Sequence, residues 1–219
     1  MQSARQCSAW AEGCRARTGP GYGRGVTDWG ALYVDHVDAV SGLATTLDDE
    51  QLATTVPATP VWTVHEVLAH LAGVASDMVT GRMDGAPGPA WTSRHVSERA
   101  QLPVADLLDE LRSRQDAIVE SVVDNPRPAS VWNLAVHHAD LHEALDLPPM
   151  PEHLWLPIVE ALDPGPGPTD RVPPYELFRG LFSRRSRAQM LGWGTGLSAE
   201  ELDELCIFGP REDDQPVPA

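Results

Sequence analysis

Apolar positions recur at three- and four-residue steps along most of the chain, and the breaks between those runs fall on proline and glycine. Trp29, Leu32, Tyr33, Val37, Val40, Leu43, Ala44 and Leu47 trace the stripe of one amphipathic helix, and His36 shares it. Pro57 and Pro60 separate it from a second helix, which opens with Thr63 and Glu66 as a Thr-x-x-Glu capping box. Trp62 stands before the cap, placed to staple against Val67. Val67, Leu71, Val74 and Met78 form the buried side, and His70, three residues from Val67 and four from Val74, looks inward. His65, in the first turn, points elsewhere. A Gly/Pro loop from Asp84 to Pro89 leads to a short helical piece from about Thr92 to Gln101. Pro103 suits the first turn of a third long helix, with Val104, Leu107, Leu108, Leu111, Ile118 and Val122 as its apolar face. Asn125-Pro126-Arg127-Pro128 breaks it. Ser130 is placed to cap a fourth helix, which runs to about Leu145 before Pro148 and Pro149 end it.

Four amphipathic helices with breakers between them predict an all-α fold, an up-down-up-down four-helix bundle over residues 27–150. Residues 151–219 read as a mostly helical C-terminal extension packed on that bundle. It holds a helix from Glu152 to Leu162, a linker from Pro164 to Pro168, and a helix from Pro174 to about Leu191. A last short helix is capped by Ser198 with Glu201, and Cys206-Ile207-Phe208 suits a short extended piece. Residues 1–26, with Gly19-Pro20-Gly21, Gly23 and Gly25 and no apolar period, read as a disordered tail.

Composition narrows the function classes. A formal net charge of -16 opposes binding to nucleic acid and to anionic lipid. No run approaches the roughly 18 apolar residues of a membrane span. The start lacks the layout of a secretory signal, and Cys7, Cys14 and Cys206 give no disulfide framework, so a cytoplasmic protein is expected. Every basic residue is arginine, and Arg179, Arg184, Arg185 and Arg187 cluster. They are suited either to an anionic small molecule or, slightly better, to acidic neighbours on the bundle surface.

The histidines change the picture most. His70 and the pair His137-His138 lie on or beside the apolar stripes of two separate helices. An imidazole inside a helical bundle needs a hydrogen-bond partner or a metal, which makes a metal site the first hypothesis. His36 suits a hydrogen-bonded core histidine, and His95 and His153 read as surface residues. The tryptophans read as packing groups.

The motifs also carry a family resemblance. Trp62-Thr-Val-x-x-Val-Leu-Ala-His70-Leu-Ala-Gly73 resembles the second-helix motif of the mycothiol-dependent maleylpyruvate isomerase family, a branch of the DinB-like four-helix bundles. Trp91-Thr-x-x-x-Val96-x-x-Arg99 with Val104-x-x-Leu107-Leu108, and Val136-His137-His138-Ala-Asp140-Leu141, are similar to the segments that follow. Phe178-Arg179-x-Leu181-x-x-Arg184-Arg185-Ser186-x-x-Gln189, with Trp193-x-x-Gly196 and Phe208-Gly209-Pro210-Arg211, is similar to the C-terminal stretch of actinobacterial relatives. Four motifs in order cover about residues 28–212.

The resemblance implies a divalent metal, usually zinc, held by three ligands, with His70 and His137 in two of the positions. The third, a glutamate in the family, maps to Asn133, a weak ligand four residues before His137. Three accounts of Asn133 stand open. The site holds metal weakly through His70, His137 and water; it has shifted register to His138 and His142; or the metal is lost and the bundle kept. Asp140, one turn after His137, suits an outer partner for its ring proton or an arginine. The resemblance further implies mycothiol as a thiol cofactor and a small electrophilic or carboxylated substrate, in an isomerase or a thiol transferase. No residue is a convincing nucleophile of its own, which suits a borrowed thiol, and Arg179, Arg184 and Arg185 are candidates to hold carboxylates. The competing expectation is a non-catalytic binding or regulatory bundle with a degenerate site.

Overall fold

The computed structural model describes residues 27–162 and 167–217, and these fall into two compact units, Thr27–Met150 and Pro151–Val217. The tail read over residues 1–26, with Cys7 and Cys14, lies outside the described residues, as does part of the Pro164–Pro168 linker. Among the described residues the regular elements are helices; Thr55 and Thr63 make an isolated antiparallel bridge. No helix among them is long and apolar enough to cross a membrane.

The first unit begins with α1 (Trp29–Ala44), where the Asp28 carboxylate accepts the Ala31 N–H at 2.9 Å. After the short α2 (Asp49–Leu52) comes α3 (Val64–Thr80), started by the expected capping box. Thr63 Oγ1 accepts the Glu66 N–H at 3.3 Å, and Glu66 Oε2 accepts the Thr63 N–H at 2.8 Å. Gly81, at φ 74°, ends the helix in the left-handed conformation that glycine adopts without strain. Every residue from Val67 to Asp77 is buried, so α3 is enclosed on all sides rather than on one stripe. It packs against α4 (Pro89–Arg99), α5 (Val104–Ser113), α6 (Gln115–Val122) and α7 (Ala129–Ala144), while α1 packs against α5, α6 and α7. Leu32, Val40, Val67, Leu71, Leu107, Leu111, Ile118 and Leu141 are all in the core.

The third helix, read as continuous, divides at Arg114, whose N–H bonds to Leu111 O at 3.3 Å in a tightened turn. The apolar period survives the division, since Leu111, Ile118 and Val122 are all buried, which is why the sequence pattern does not show it. The fourth helix is not capped by Ser130: it starts at Ala129 behind Pro128, and the Ser130 side chain is turned into the interior.

The second unit contains α8 (Glu152–Leu162), a 3₁₀ turn at Pro168–Arg171, α9 (Pro174–Leu181), α10 (Arg187–Leu191) and α11 (Ala199–Leu205). Phe178 stacks on Trp155 at 6.3 Å where α8 meets α9. The helix expected from Pro174 to Leu191 is interrupted: Ser183 takes φ 59°, and its hydroxyl donates to Gly209 O at 2.8 Å. The Cys206–Phe208 stretch is a turn rather than an extended piece, with Ile207 N–H bonded to Leu181 O at 2.8 Å. Ser198 and Glu201 form the expected capping box of α11.

Candidate histidine centre

α3 and α7 bring His70 and His137 together. Their ring centroids are 5.0 Å apart, and both side chains are buried. Trp62, half-buried, lies over the pair at 4.9 Å from His70 and 6.2 Å from His137. Trp91, from α4, closes on His70 edge-on at 6.2 Å. Two of the tryptophans read as packing groups therefore wall the centre.

Behind each imidazole stands a carboxylate. Asp140, fully buried, brings Oδ2 to 3.0 Å from His137 Nδ1, one turn along the same helix. His70 is backed through a second histidine: His95 Nδ1 lies 3.2 Å from His70 Nδ1, and His95 Nε2 lies 2.9 Å from Asp77 Oδ2. Asp77 also takes the Arg94 guanidinium on both of its oxygens. Burial alone raises the Asp77 carboxyl, but the hydrogen bonds from Arg94 and His95 outweigh it and hold it below the usual carboxylate range. Burial pushes the His95 imidazole down, against the opposing pull of Asp77.

The surface reading of His95 is overturned, because its side chain is 0% exposed. α4 buries only Trp91, His95 and Arg99, a face of four-residue steps in which only Trp91 is apolar. The spacing from Trp91 and the small residue at Gly73, one turn after His70, are the signals that point to it. Asp77, whose burial no sequence signal announces, lies near the C-terminal end of the same helix as His70. His153 is exposed, as expected.

The other candidates fall elsewhere. His138 faces α1, with its Nδ1 3.0 Å from His36 Nδ1, so His36 is a core histidine with an imidazole partner. His142 stacks edge-on against His138 at 4.9 Å and directs Nδ1 to Pro148 O at 2.6 Å. Arg179, Arg184 and Arg185 belong to the second unit and are buried rather than on a surface. Glu176 takes Arg185 in a two-pronged pair, both bonds 2.7 Å, and Arg184 donates to Phe182 O at 2.9 Å and lies over the Phe208 ring.

Zinc in proteins takes at least three nitrogen, sulfur or carboxylate ligands. Among the described residues no group of three or more His, Cys, Asp or Glu side chains is disposed to hold a metal ion. His70 and His137 supply two nitrogens. Asn133, one turn before His137, adds a neutral amide, and Asp140 is engaged behind His137. The donor set thus falls one ligand short of the three-ligand zinc that the resemblance implies.

The profile described as Mycothiol maleylpyruvate isomerase N-terminal domain matches residues 34–148, more than half of the chain and nearly all of the first unit. No curated protein and no solved structure matches the chain. With His70, His95, His137 and both backing carboxylates inside the matched residues, the chain belongs to the mycothiol maleylpyruvate isomerase N-terminal domain family.

Proposed function

We propose that this protein is a thiol-dependent enzyme working with mycothiol on a small electrophilic or carboxylated substrate, as a cis–trans isomerase or a thiol transferase. The observation that carries the reading is the pair of buried, facing imidazoles, each backed by a carboxylate and walled by tryptophan. The up-down-up-down four-helix arrangement is part of the same reading, supported by the packing of α3 on α5 and α7 and of α1 on α6 and α7. The centre has no nucleophile of its own. Cys206 is in the other unit, and burial pushes its thiol up to about 11, so thiolate there is scarce near neutrality.

A neutral imidazole beside a carboxylate is equipped to take a thiol proton. The thiolate sulfur then bonds to the β-carbon of a double bond conjugated with a carbonyl, and the π pair moves onto the carbonyl oxygen. What was a double bond is now single and rotates. Return of the enolate electrons breaks the C–S bond, and the released thiolate recovers its proton from the imidazolium, leaving the trans isomer with no net change of atoms. A transferase instead keeps the C–S bond and delivers the imidazolium proton to the α-carbon. Among the described residues the donor set is one ligand short of zinc, and the proton is moved by the imidazoles themselves.

Asn133 in the family's glutamate position favours a second reading, a non-catalytic bundle with a degenerate site. The two are separated by incubating the purified protein with mycothiol and maleylpyruvate and following loss of the cis isomer by NMR. Turnover that requires mycothiol and falls about 10²–10⁴-fold in His70→Ala supports the enzyme. No turnover and no calorimetric binding of mycothiol, with or without added zinc, supports the second reading.

A further inference from the structure

We propose that His95 is a positioning residue: lodged in the notch left by Gly73 and anchored by Asp77, it holds His70 in the tautomer that carries its proton on Nδ1 and none on Nε2. The seat is steric. A Cβ on residue 73 would lie 2.5 Å from His95 Cγ, 2.6 Å from its Cβ and 2.7 Å from its Cδ2, so only glycine at that position admits the ring. On its other side the ring meets Trp91 edge-on at 4.2 Å, and Arg99 donates to the His95 carbonyl at 3.3 Å. The imidazole is fixed from both faces and from its backbone.

The polarity of the chain follows from its far end. A carboxylate paired with a guanidinium accepts hydrogen bonds and donates none, so Asp77 requires a proton on His95 Nε2. Asp77 already has the Arg94 cation, and Arg99 stands on the same helix turn as His95. A second positive charge on a fully buried imidazole there would have to share Asp77 with the Arg94 guanidinium, and burial favours the neutral form of His95. A neutral imidazole carries one proton. With Nε2 occupied, His95 Nδ1 is a bare acceptor, and the 3.2 Å contact closes as a hydrogen bond only if His70 donates from Nδ1. The functional consequence rests on the proposed function, with His70 Nε2 taken as the atom that meets the thiol; the tautomer itself does not.

The test uses the full chain labelled with ¹⁵N-histidine, with two-bond ¹H–¹⁵N correlation reading each ring and a His70→Ala variant assigning the signal. His70 is expected as the Nδ1–H tautomer. In Asp77→Asn, Arg94 keeps the amide oxygen and the amide nitrogen donates to His95 Nε2, which moves the His95 proton to Nδ1 and the His70 proton to Nε2. Inversion of the His70 tautomer, with the His36–His138 signals unchanged as a check on folding, establishes the role. Gly73→Ala is expected to break the His70–His95 bond without removing a polar group, leaving His70 a mixture of tautomers; if it does not fold, Asp77→Asn decides. A wild-type His70 protonated on Nε2, or an unaltered tautomer in folded Asp77→Asn, overturns the proposal. Where turnover is measured, inversion should lower kcat at least about 10²-fold with KM nearly constant. Inversion without loss of turnover upholds the positioning role and instead sinks His70 as the group that meets the thiol.

Discussion

A carboxamide and a carboxylate one methylene longer differ little in bulk, yet at position 133 that difference is expected to decide whether the histidine pair has a third donor. His70 and His137 already face each other, and residue 133 shares the face of α7 that carries His137. Asn133→Glu is expected to create a zinc site, tightening binding by more than the roughly 10–100-fold that outer partners contribute at metal centres. His70→Ala in the Asn133→Glu background is expected to erase the gain, since ligands of one ion do not act additively. Calorimetric titration with zinc at fixed pH reads both. Equal affinities for wild type and Asn133→Glu would mean that the side chain at 133 does not enter the space between the rings.

At the scale of elements, the positions of helices follow from signals that act locally. The capping boxes at Thr63–Glu66 and Ser198–Glu201 are where the sequence places them, because each is closed by atoms three residues apart. Thr63→Ala removes the hydroxyl that starts α3, the helix carrying His70, Gly73 and Asp77, and is expected to cost about 0.5–2 kcal/mol by urea unfolding. Gly42→Ala, on the exposed side of α1 with open space around the new methyl, is expected to stabilise by about 0.5–1 kcal/mol in the same assay. Long-range consequences are what the sequence hides. His70 and His137 are recognisable as inward because their own helices have apolar stripes, whereas α4 shows none: its buried face is tryptophan, histidine and arginine. His95 is buried only because α3 offers the Gly73 notch and Asp77 offers an acceptor, and both lie about 20 residues away in the chain. The Arg114 division and the Ser183 turn escape for a related reason, since neither disturbs the apolar period or carries a glycine or proline.

For the whole molecule, two opposing effects of acid meet. The net charge of -16 makes the folded chain repel itself, and protonating carboxylates toward the isoelectric point near 4.7 relieves that repulsion. Buried neutral imidazoles act the other way. Burial, with smaller contributions from His36 and His142, pushes His138 down to about 2 from an ordinary 6.5, and burial lowers His95 as well. Between pH 6.5 and the depressed folded values the unfolded chain binds protons that the folded chain refuses. The stability these groups contribute is therefore fully present above pH 6.5 and is lost as pH falls below it, by up to about 1.4 kcal/mol per pH unit for each such imidazole. Carboxylates near their ordinary values take up few protons above about pH 5.5, so repulsion is hardly relieved in that range and the imidazoles decide the outcome. Below it, Asp77 and Glu110, both held below their ordinary values, add further loss as they too must be protonated. The urea midpoint is accordingly expected to be level from pH 8 to 7 and to fall from pH 6.5 to 5.5. His138→Gln, which keeps a hydrogen-bonding group beside His36 but cannot titrate, should show a shallower fall over the same interval. A midpoint that rises between pH 6.5 and 5.5 would mean that charge repulsion governs the acid response and that His138 is not held neutral by the fold.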